Sequence, residues 1–278
     1  MALTLMYITN KPEIALIAEK SGVDRVWVDL EVLGKEERQK NMDSVKSHHT
    51  VKDVRKLSNI LTSAELMVRI NPWNDNSVKE IDEVIDAGAQ RIMLPMWKTE
   101  KEVDAFLRAV NGRVKTTLLL ETKEGVECLD EVLQNPRIDE MHIGLNDLHL
   151  SYGLSFMFEL LTNGTVETLC EKIKKANVPF GFGGIARLGE GMLPAEKVIM
   201  EHYRLGSTRA ILSRSFCNAE KCKDSQEISE LFSVNMQRLR CYEQAICNES
   251  ENAYTLNRKQ VEQNVQNIVN TIKSKEQI

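Results

Sequence analysis

Short apolar runs alternate with longer amphipathic stretches along the chain, the pattern of a parallel sheet wrapped by helices. Strands are expected at Leu3–Ile8, Arg25–Glu31, Glu65–Ile70 and Arg91–Pro95, then at Thr116–Glu121, Met141–Leu145, Phe180–Ile185 and Arg209–Ser213. Each run is short, rich in Val, Ile, Leu or Met, and bounded by Gly, Pro, Asn or charged residues. Helical periodicity fills the gaps in KPEIALIAEKSG, SVKEIDEVIDAG, TEKEVDAFLRAV and GVECLDEVLQNP. Several of these stretches end in Gly or Asn just past their last apolar residue, as helix C-termini often do. Eight such repeats close a (β/α)8 TIM barrel, while an open doubly wound sheet gives a similar rhythm.

The repeats stop near Phe216. NAEKCKDSQE is polar, ISELFSVNMQRLRCYEQAI reads as a long amphipathic helix, and NESEN makes a second polar break. In the last stretch Val261, Val265, Ile268, Val269 and Ile272 recur at helical spacing on a Gln- and Asn-rich background, an apolar stripe that needs cover from the chain's own barrel or from a neighbouring subunit. The expected organisation is a barrel over residues 1–217 and a helical extension over residues 218–278, the extension serving as an oligomerisation element.

Composition narrows the class without naming it. The 278 residues fit the ~250 of one α/β barrel plus a tail. Hydrophobic residues make up 42% and charged residues 28%, which is globular composition. A formal charge of −5 argues against a nucleic-acid binder. The apolar runs stop short of the ~18 residues that span a bilayer, so no membrane association is expected. MALTLMYITNKPE has no n-region and h-region of a secretion signal, and the six cysteines have neither zinc-finger nor disulfide-framework spacing. Together these point to a cytoplasmic protein with reduced thiols.

In a (β/α)8 barrel the chemistry sits at the C-terminal ends of the strands. The second strand ends in VWVDLE, which puts Asp29 and Glu31 on one side of the chain at the rim. The third ends at Arg69, the fifth runs into Glu121, and the sixth runs into Asn146 and Asp147. A carboxylate emerging from an apolar run caps the next helix, pairs with Arg69 or coordinates an ion. Glu121 and Asp147 on neighbouring strands, with an arginine close by, suit a hard divalent cation that holds an anionic oxygen substrate. PFGFGGIARLGEG, with Gly183 and Gly184, is either a tight turn needing positive φ or an anion cradle of backbone N–H groups, with Arg187 and Arg214 nearby. It has no dinucleotide fingerprint and no Walker lysine. His149, two residues after Asp147, is a candidate acid or base. His142 is expected to face the helix layer, and His48 and His49 to cap or line a loop. Cys217 has no local base that would mark it as a nucleophile.

The ordered series GVDRVWVDLE, MVRINPWND, IDAGAQRIMLPM and LLLETKEGVECLDEVLQNPRIDEMHIGLNDLHLSYGL resembles the HpcH/HpaI aldolase and citrate lyase β-subunit family, from about Leu3 to Phe216. Its most specific piece is the E-T…D-x-x-x-I-G-x-N-D-L block, in which Glu121 and Asp147 stand 26 residues apart. The resemblance implies a (β/α)8 barrel that uses a divalent metal, Mg2+ or Mn2+, to bind pyruvate or a related 2-oxo acid as an enolate. Residue by residue, it implies Glu121 and Asp147 as metal ligands and Arg69 at the enolate oxygen. The backbone at Asn146 and Asp147 would lie on the substrate carboxylate, and Asp86 would take part in proton transfer. Glu31, Gly183 and Gly184 complete the expected substrate-binding set, and C-terminal helices exchanged between subunits imply a homo-oligomer.

Two departures bear on mechanism. The aldolases carry histidine directly after the residue matching Glu31, where this chain has Val32, so His49 or His149 becomes the candidate replacement. The segment between the fourth and fifth strands is also short, without the long covering loop of those enzymes. DLEVLGKEERQ resembles the DLED…K…R segment of CoA-thioester lyases, again with Val32 in place of the second acid. The expected activity is a metal-dependent carbon–carbon lyase or aldolase acting on a 2-oxo (2-keto-3-deoxy) acid. The alternatives are a citryl- or malyl-CoA-like lyase and a non-catalytic metabolite-binding barrel.

Overall fold

Strand β8 pairs with β1 as well as with β7, and that one ladder decides between the two sheets that the periodicity allows. A computed structural model describes residues 2–34, 49–213, 216–217 and 224–276. Its eight strands, all parallel, form a closed barrel in sequence order: β1 Thr4–Ile8, β2 Arg25–Asp29, β3 Glu65–Arg69, β4 Arg91–Leu94, β5 Lys115–Leu120, β6 Met141–Ile143, β7 Phe180–Ile185 and β8 Arg209–Leu212. Each overlaps the run expected from sequence, ending at the same residue or one or two earlier. The barrel is a (β/α)8 TIM barrel with a C-terminal helical extension.

The connecting helices are α1 Pro12–Lys20, α2 Val51–Ser58, α3 Ser77–Asp86, α4 Glu100–Val110, α5 Lys123–Glu127, α6 Leu129–Val132, α7 Leu145–Ser151, α8 Glu159–Thr162, α9 Thr165–Lys175 and α10 Ala195–Leu205. Local chemistry sets their ends. Thr99 caps α4 in a capping box with Glu102, and Asn111 ends it in the left-handed region at φ 50°. GVECLDEVLQNP, read as one helix, breaks at Cys128 into α5 and α6. His48, Arg214, Cys222 and the KEERQ of the second-strand segment lie outside the described residues.

Register and alternation layer the barrel interior. In barrels of this kind four side chains from alternate strands share a level. The lowest level is ionic: Arg25, Arg91 and Arg209 from β2, β4 and β8 surround Glu140, the residue before β6. Arg25 grips Glu140 through two bonds of 2.6 and 3.0 Å. Arg209 donates to the same carboxylate, Arg91 approaches it at 3.9 Å, and Glu65 pairs with Arg25 and Arg91. Burial pushes the Glu140 carboxyl up, but the bond and charge of Arg25, joined by Arg91 and Arg209, draw it down to about 2. Above this floor the interior is apolar, with Met6, Trp27, Met67, Met93 and Leu119 packed together. The larger cluster lies outside the strands, under the helices.

Two long helices, α11 Ser225–Ile246 and α12 Glu251–Glu276, follow the barrel. The Glu243 carboxylate of α11 accepts the Leu3 N–H at 2.7 Å and the Tyr203 hydroxyl at 3.0 Å, and Arg240 pairs with Asp24. The Val261, Val265 and Val269 stripe of α12 is buried as α12 packs on α8 and α10. Asn257 donates to the Lys197 carbonyl and the Glu201 carboxylate of α10, and Arg258 to the Thr162 carbonyl at the end of α8. The stripe that sequence left open between barrel and partner is therefore covered by the chain itself. No helix among the described residues is long and apolar enough to cross a membrane.

Candidate active site

The β2–β3 register pairs Asp29 with Arg69, so both side chains leave the sheet on one side at the mouth. The guanidinium binds Asp29 by a two-point fork, Nε to Oδ1 at 2.8 Å and Nη2 to Oδ2 at 2.9 Å, and Glu31 approaches Nη2 at 3.2 Å. Beneath it lies the Trp27 ring, 4.9 Å from the guanidinium carbon. Asp29 and Glu31 are 1% and 2% exposed, a burial that only a paired cation makes tolerable. Burial pulls the Arg69 guanidinium down, yet Asp29, Glu31 and Glu121 outweigh it and hold it above its ordinary value. His49 joins the end of β2, its Nδ1 accepting the Asp29 N–H at 3.0 Å.

Glu121 follows β5 directly and is buried. Its Oε1 accepts the Met96 N–H at 3.1 Å, and Met96 is held at φ 53°, a left-handed conformation uncommon outside glycine. Thr122 donates to the Trp97 carbonyl at 2.7 Å, so the β4–α4 connection is stapled to the end of β5 twice. Gly144, between β6 and α7, packs against the acid. A β carbon there would lie 2.8 Å from both Cβ and Oε2 of Glu121. Burial, and next the charge of Asp147, push the Glu121 carboxyl well above the usual carboxylate range, and Arg69 only partly opposes them. Asp147, half-buried in the first turn of α7, thus shares an electrostatic site with Glu121.

That coupling tests whether the residues fit a cation. Two carboxylates that repel each other in a buried site are stabilised together by a hard divalent ion, and Mg2+ or Mn2+ is commonly held by one or two carboxylates plus water and substrate oxygens. No group of three or more His, Cys, Asp and Glu gathers around one point among the described residues, so the fit rests on this two-acid set.

The remaining candidates divide. Asn146 is exposed beside Asp147. Gly183, at φ 52°, and Gly184 lie in β7 where its register against β8 shifts. Asp86 is not brought to this site within the chain. It is the exposed last residue of α3, which runs back from the mouth and ends just before β4 begins, at the opposite end of the barrel. His149 does not reach the cluster either. Two residues from Asp147 on one helix, it faces away from that acid, is buried, and sits 3.2 Å by Nδ1 from the Leu145 carbonyl. Arg187 pairs with Glu190, and the buried Cys217 offers its carbonyl to Tyr7. His142 corrects its expectation: β6 pairs it with Leu119, a member of the interior cluster, so it faces the barrel interior.

Sequence reasoning left out Trp27, Met96, Asn71 and Gly144. Asn71 accepts the Val32 and Leu33 N–H groups at 2.9 and 3.0 Å and is itself held by Glu80 at 2.8 Å, which fixes the chain beyond β2. Val32, in place of the expected histidine, is 57% exposed. The one signal available for Gly144 was its place between an apolar strand and an acid-bearing helix.

Fold and site define a class: a (β/α)8 barrel with an arginine and two electrostatically coupled acids at its mouth. The pattern of the HpcH/HpaI aldolase/citrate lyase family matches residues 3–159, and the chain belongs to that family. No curated protein matches it. Among solved structures it is similar to an HpcH/HpaI aldolase from Desulfitobacterium hafniense DCB-2, at 15% identity and TM-score 0.62, over 76% of this chain and 86% of that one. It is also similar to a family protein from Burkholderia cenocepacia J2315, at 14% identity and TM-score 0.57, over 86% and 94%. The citrate synthase SbnG resembles it at 16% identity and TM-score 0.58, over 86% and 94%. At these identities the three share its fold.

Proposed function

We propose that the protein is a carbon–carbon lyase or aldolase that cleaves or forms a bond beside a 2-oxo acid, of the pyruvate or 2-keto-3-deoxy class, through an enolate, with Mg2+ or Mn2+ as cofactor. The observation that carries this reading is the gathering of Arg69, Glu121 and Asp147 at the barrel mouth, with Glu121 driven toward its neutral form by burial and by the charge of Asp147. Glu121 and Asp147 would hold the cation, which supplies Lewis-acid polarisation of the 2-oxo acid oxygens. Arg69, kept from rotating by Asp29 and Glu31, presents fixed positive charge to the oxygen on which charge develops. Backbone N–H groups at Asn146, Asp147, Gly183 and Gly184 suit the substrate carboxylate. In the cleavage direction the bond between C3 and C4 breaks, its electron pair stays with the pyruvate half, and the C4 hydroxyl loses its proton to become an aldehyde. A proton then returns to C3.

The test follows pyruvate methyl protons by NMR in D2O, with Mg2+ or Mn2+ and with EDTA, beside cleavage assays on 4-hydroxy-2-oxo acids. Metal-dependent exchange, lost in Arg69→Gln, is the expected result. No exchange and no cleavage with metal present would sink the reading. Cleavage of citryl- or malyl-CoA alone would replace it with the thioester lyase. A cytoplasmic setting accords with the free cysteines at 128, 170, 217, 241 and 247.

A further inference from the structure

The barrel interior holds one titratable ring that this chemistry does not use. His142, at the centre of β6, is fully buried, and its Nε2 lies 3.1 Å from the Gly183 carbonyl. A carbonyl oxygen only accepts, so Nε2 carries the proton and the ring is the neutral Nε2–H tautomer. Burial favours that neutral form and lowers the imidazole to about 4, against the opposing pull of the Gly183 bond.

Gly183 belongs to an irregular piece of β7. Between the pairs Gly181–Arg209 and Gly184–Ile211, β7 advances three residues while β8 advances two. One residue on β7 is therefore extra, as in a β-bulge, and a bulge leaves backbone groups that the ladder does not serve. Gly183 takes φ 52° there, a conformation that favours glycine. On its other side it is tight against α7: an added β carbon would lie 2.8 Å from Leu145 Cδ1. Leu145 opens the helix that carries Asn146 and Asp147. The bulge thus sits between the imidazole inside the barrel and the acid-bearing helix at its mouth.

We infer that His142 is a positioning residue, whose Nε2–H holds the Gly183 carbonyl and so fixes the β7 bulge against Leu145, setting the carboxylate-binding edge of the substrate pocket. This rests on the proposed function insofar as the pocket takes a 2-oxo acid. Without the donor, the buried carbonyl loses its bond from inside the barrel and the bulge loses a contact that specifies its backbone. The effect should fall on substrate binding rather than on the group that bears the developing charge, because Arg69 is anchored separately by Asp29 and Glu31.

Two substitutions separate donation from bulk: His142→Phe keeps a ring without a donor, and His142→Gln keeps a side-chain N–H. Hydrogen exchange over residues 181–187 is measured alongside KM and kcat for pyruvate proton exchange at saturating Mn2+. The expected result is faster amide exchange in the Phe variant, with KM raised about tenfold and kcat changed by less than about threefold, and recovery of both in the Gln variant. Equal behaviour of the two variants, or a Phe variant with unchanged KM and exchange, would overturn the inference. If the wild type does not act on pyruvate, the functional reading falls. The amide-exchange order of wild type, Gln and Phe then still decides the role of His142. Should the Phe variant not fold, nitrogen-15 NMR of the wild-type imidazole decides: protonated Nε2 with bare Nδ1 is expected, and the opposite tautomer or a charged ring at pH 7 overturns the inference.

Discussion

At Arg69 one edge of the guanidinium, Nε and Nη2, is held by Asp29 and Glu31, which fixes the plane it offers to a ligand. Asp29→Asn keeps the size of that partner and removes its charge. The expected cost is about tenfold to a hundredfold in the rate of pyruvate proton exchange, the range seen when a supporting partner of a reacting group is lost. Val32→Ala, at an exposed neighbour, leaves the rate unchanged, and parallel NMR assays check both. At the other end of the barrel Glu140→Gln leaves Arg25, Arg91 and Arg209 crowded without their shared anion. Breaking a buried ionic cluster on one side costs about 3–5 kcal/mol, read by urea unfolding at pH 7. Arg69, Glu121 and Asp147 were legible from sequence because each polar residue interrupts an apolar run at a strand end. The fork between Asp29 and Arg69 was not, since it joins residues 40 apart and depends on register.

At the scale of elements, the close approach of β6 to β5 depends on the missing side chain at Gly144. The φ of Gly144 is an ordinary −82°, so alanine there brings no backbone strain, only a β carbon against Glu121. Gly144→Ala is expected to weaken Mn2+ binding at least tenfold by displacing that carboxylate, and to lower stability as well, because the Glu121 β carbon beside the backbone must also shift. Calorimetric titration and thermal melting separate the two effects. Helix α12 invites the opposite test. Val265 is 2% exposed, and Val265→Asp puts a charge into the contact of α12 with the barrel helices. A loss of several kcal/mol is expected, visible as a lower urea midpoint. The amphipathic stripe of α12 was plain in the sequence. What it packs against was not, because an apolar face looks the same whether a barrel or a second subunit covers it. Helical phase, in turn, decides His149: two residues past Asp147 is near in sequence but on the other side of α7.

For the whole molecule, buried ionisable groups set how stability varies with pH. His142 is lowered to about 4 and His202 to about 3, in both cases first by burial, His202 being stacked on Phe182 at 3.9 Å between ring centroids. Both rings therefore bind protons more readily in the unfolded chain than in the fold. Their contribution is complete above the ordinary histidine value of about 6.5 and is lost as pH falls through 4 toward 3. Glu140, held at about 2, is likewise depressed, and its contribution is lost between about 4.5 and 2. Unfolding free energy should thus begin to fall below about pH 6.5, at up to about 1.4 kcal/mol per pH unit for each proton taken up, and steepen below about 4.5. Urea titrations at pH 7.5, 6, 5 and 4 check this. Glu121, raised by burial and Asp147, takes up its proton in the fold first and offsets part of this loss, so the comparison is made in Glu121→Gln, where a flat profile down to pH 5 would contradict the neutral, buried histidines.

The amino-acid sequence by itself determined the eight strands and the three mouth residues Arg69, Glu121 and Asp147, because hydrophobic alternation and strand length are local properties of a chain. Closure of the sheet was decided only in three dimensions, by the pairing of β8 with β1. So were the ionic floor around Glu140, the inward face of His142, the place of Asp86 at the far end of its own barrel and the cover over the α12 stripe. Each depends on which residues, distant in the chain, a closed barrel brings to one level, and barrel closure and strand stagger fix those levels through contacts that no short segment contains.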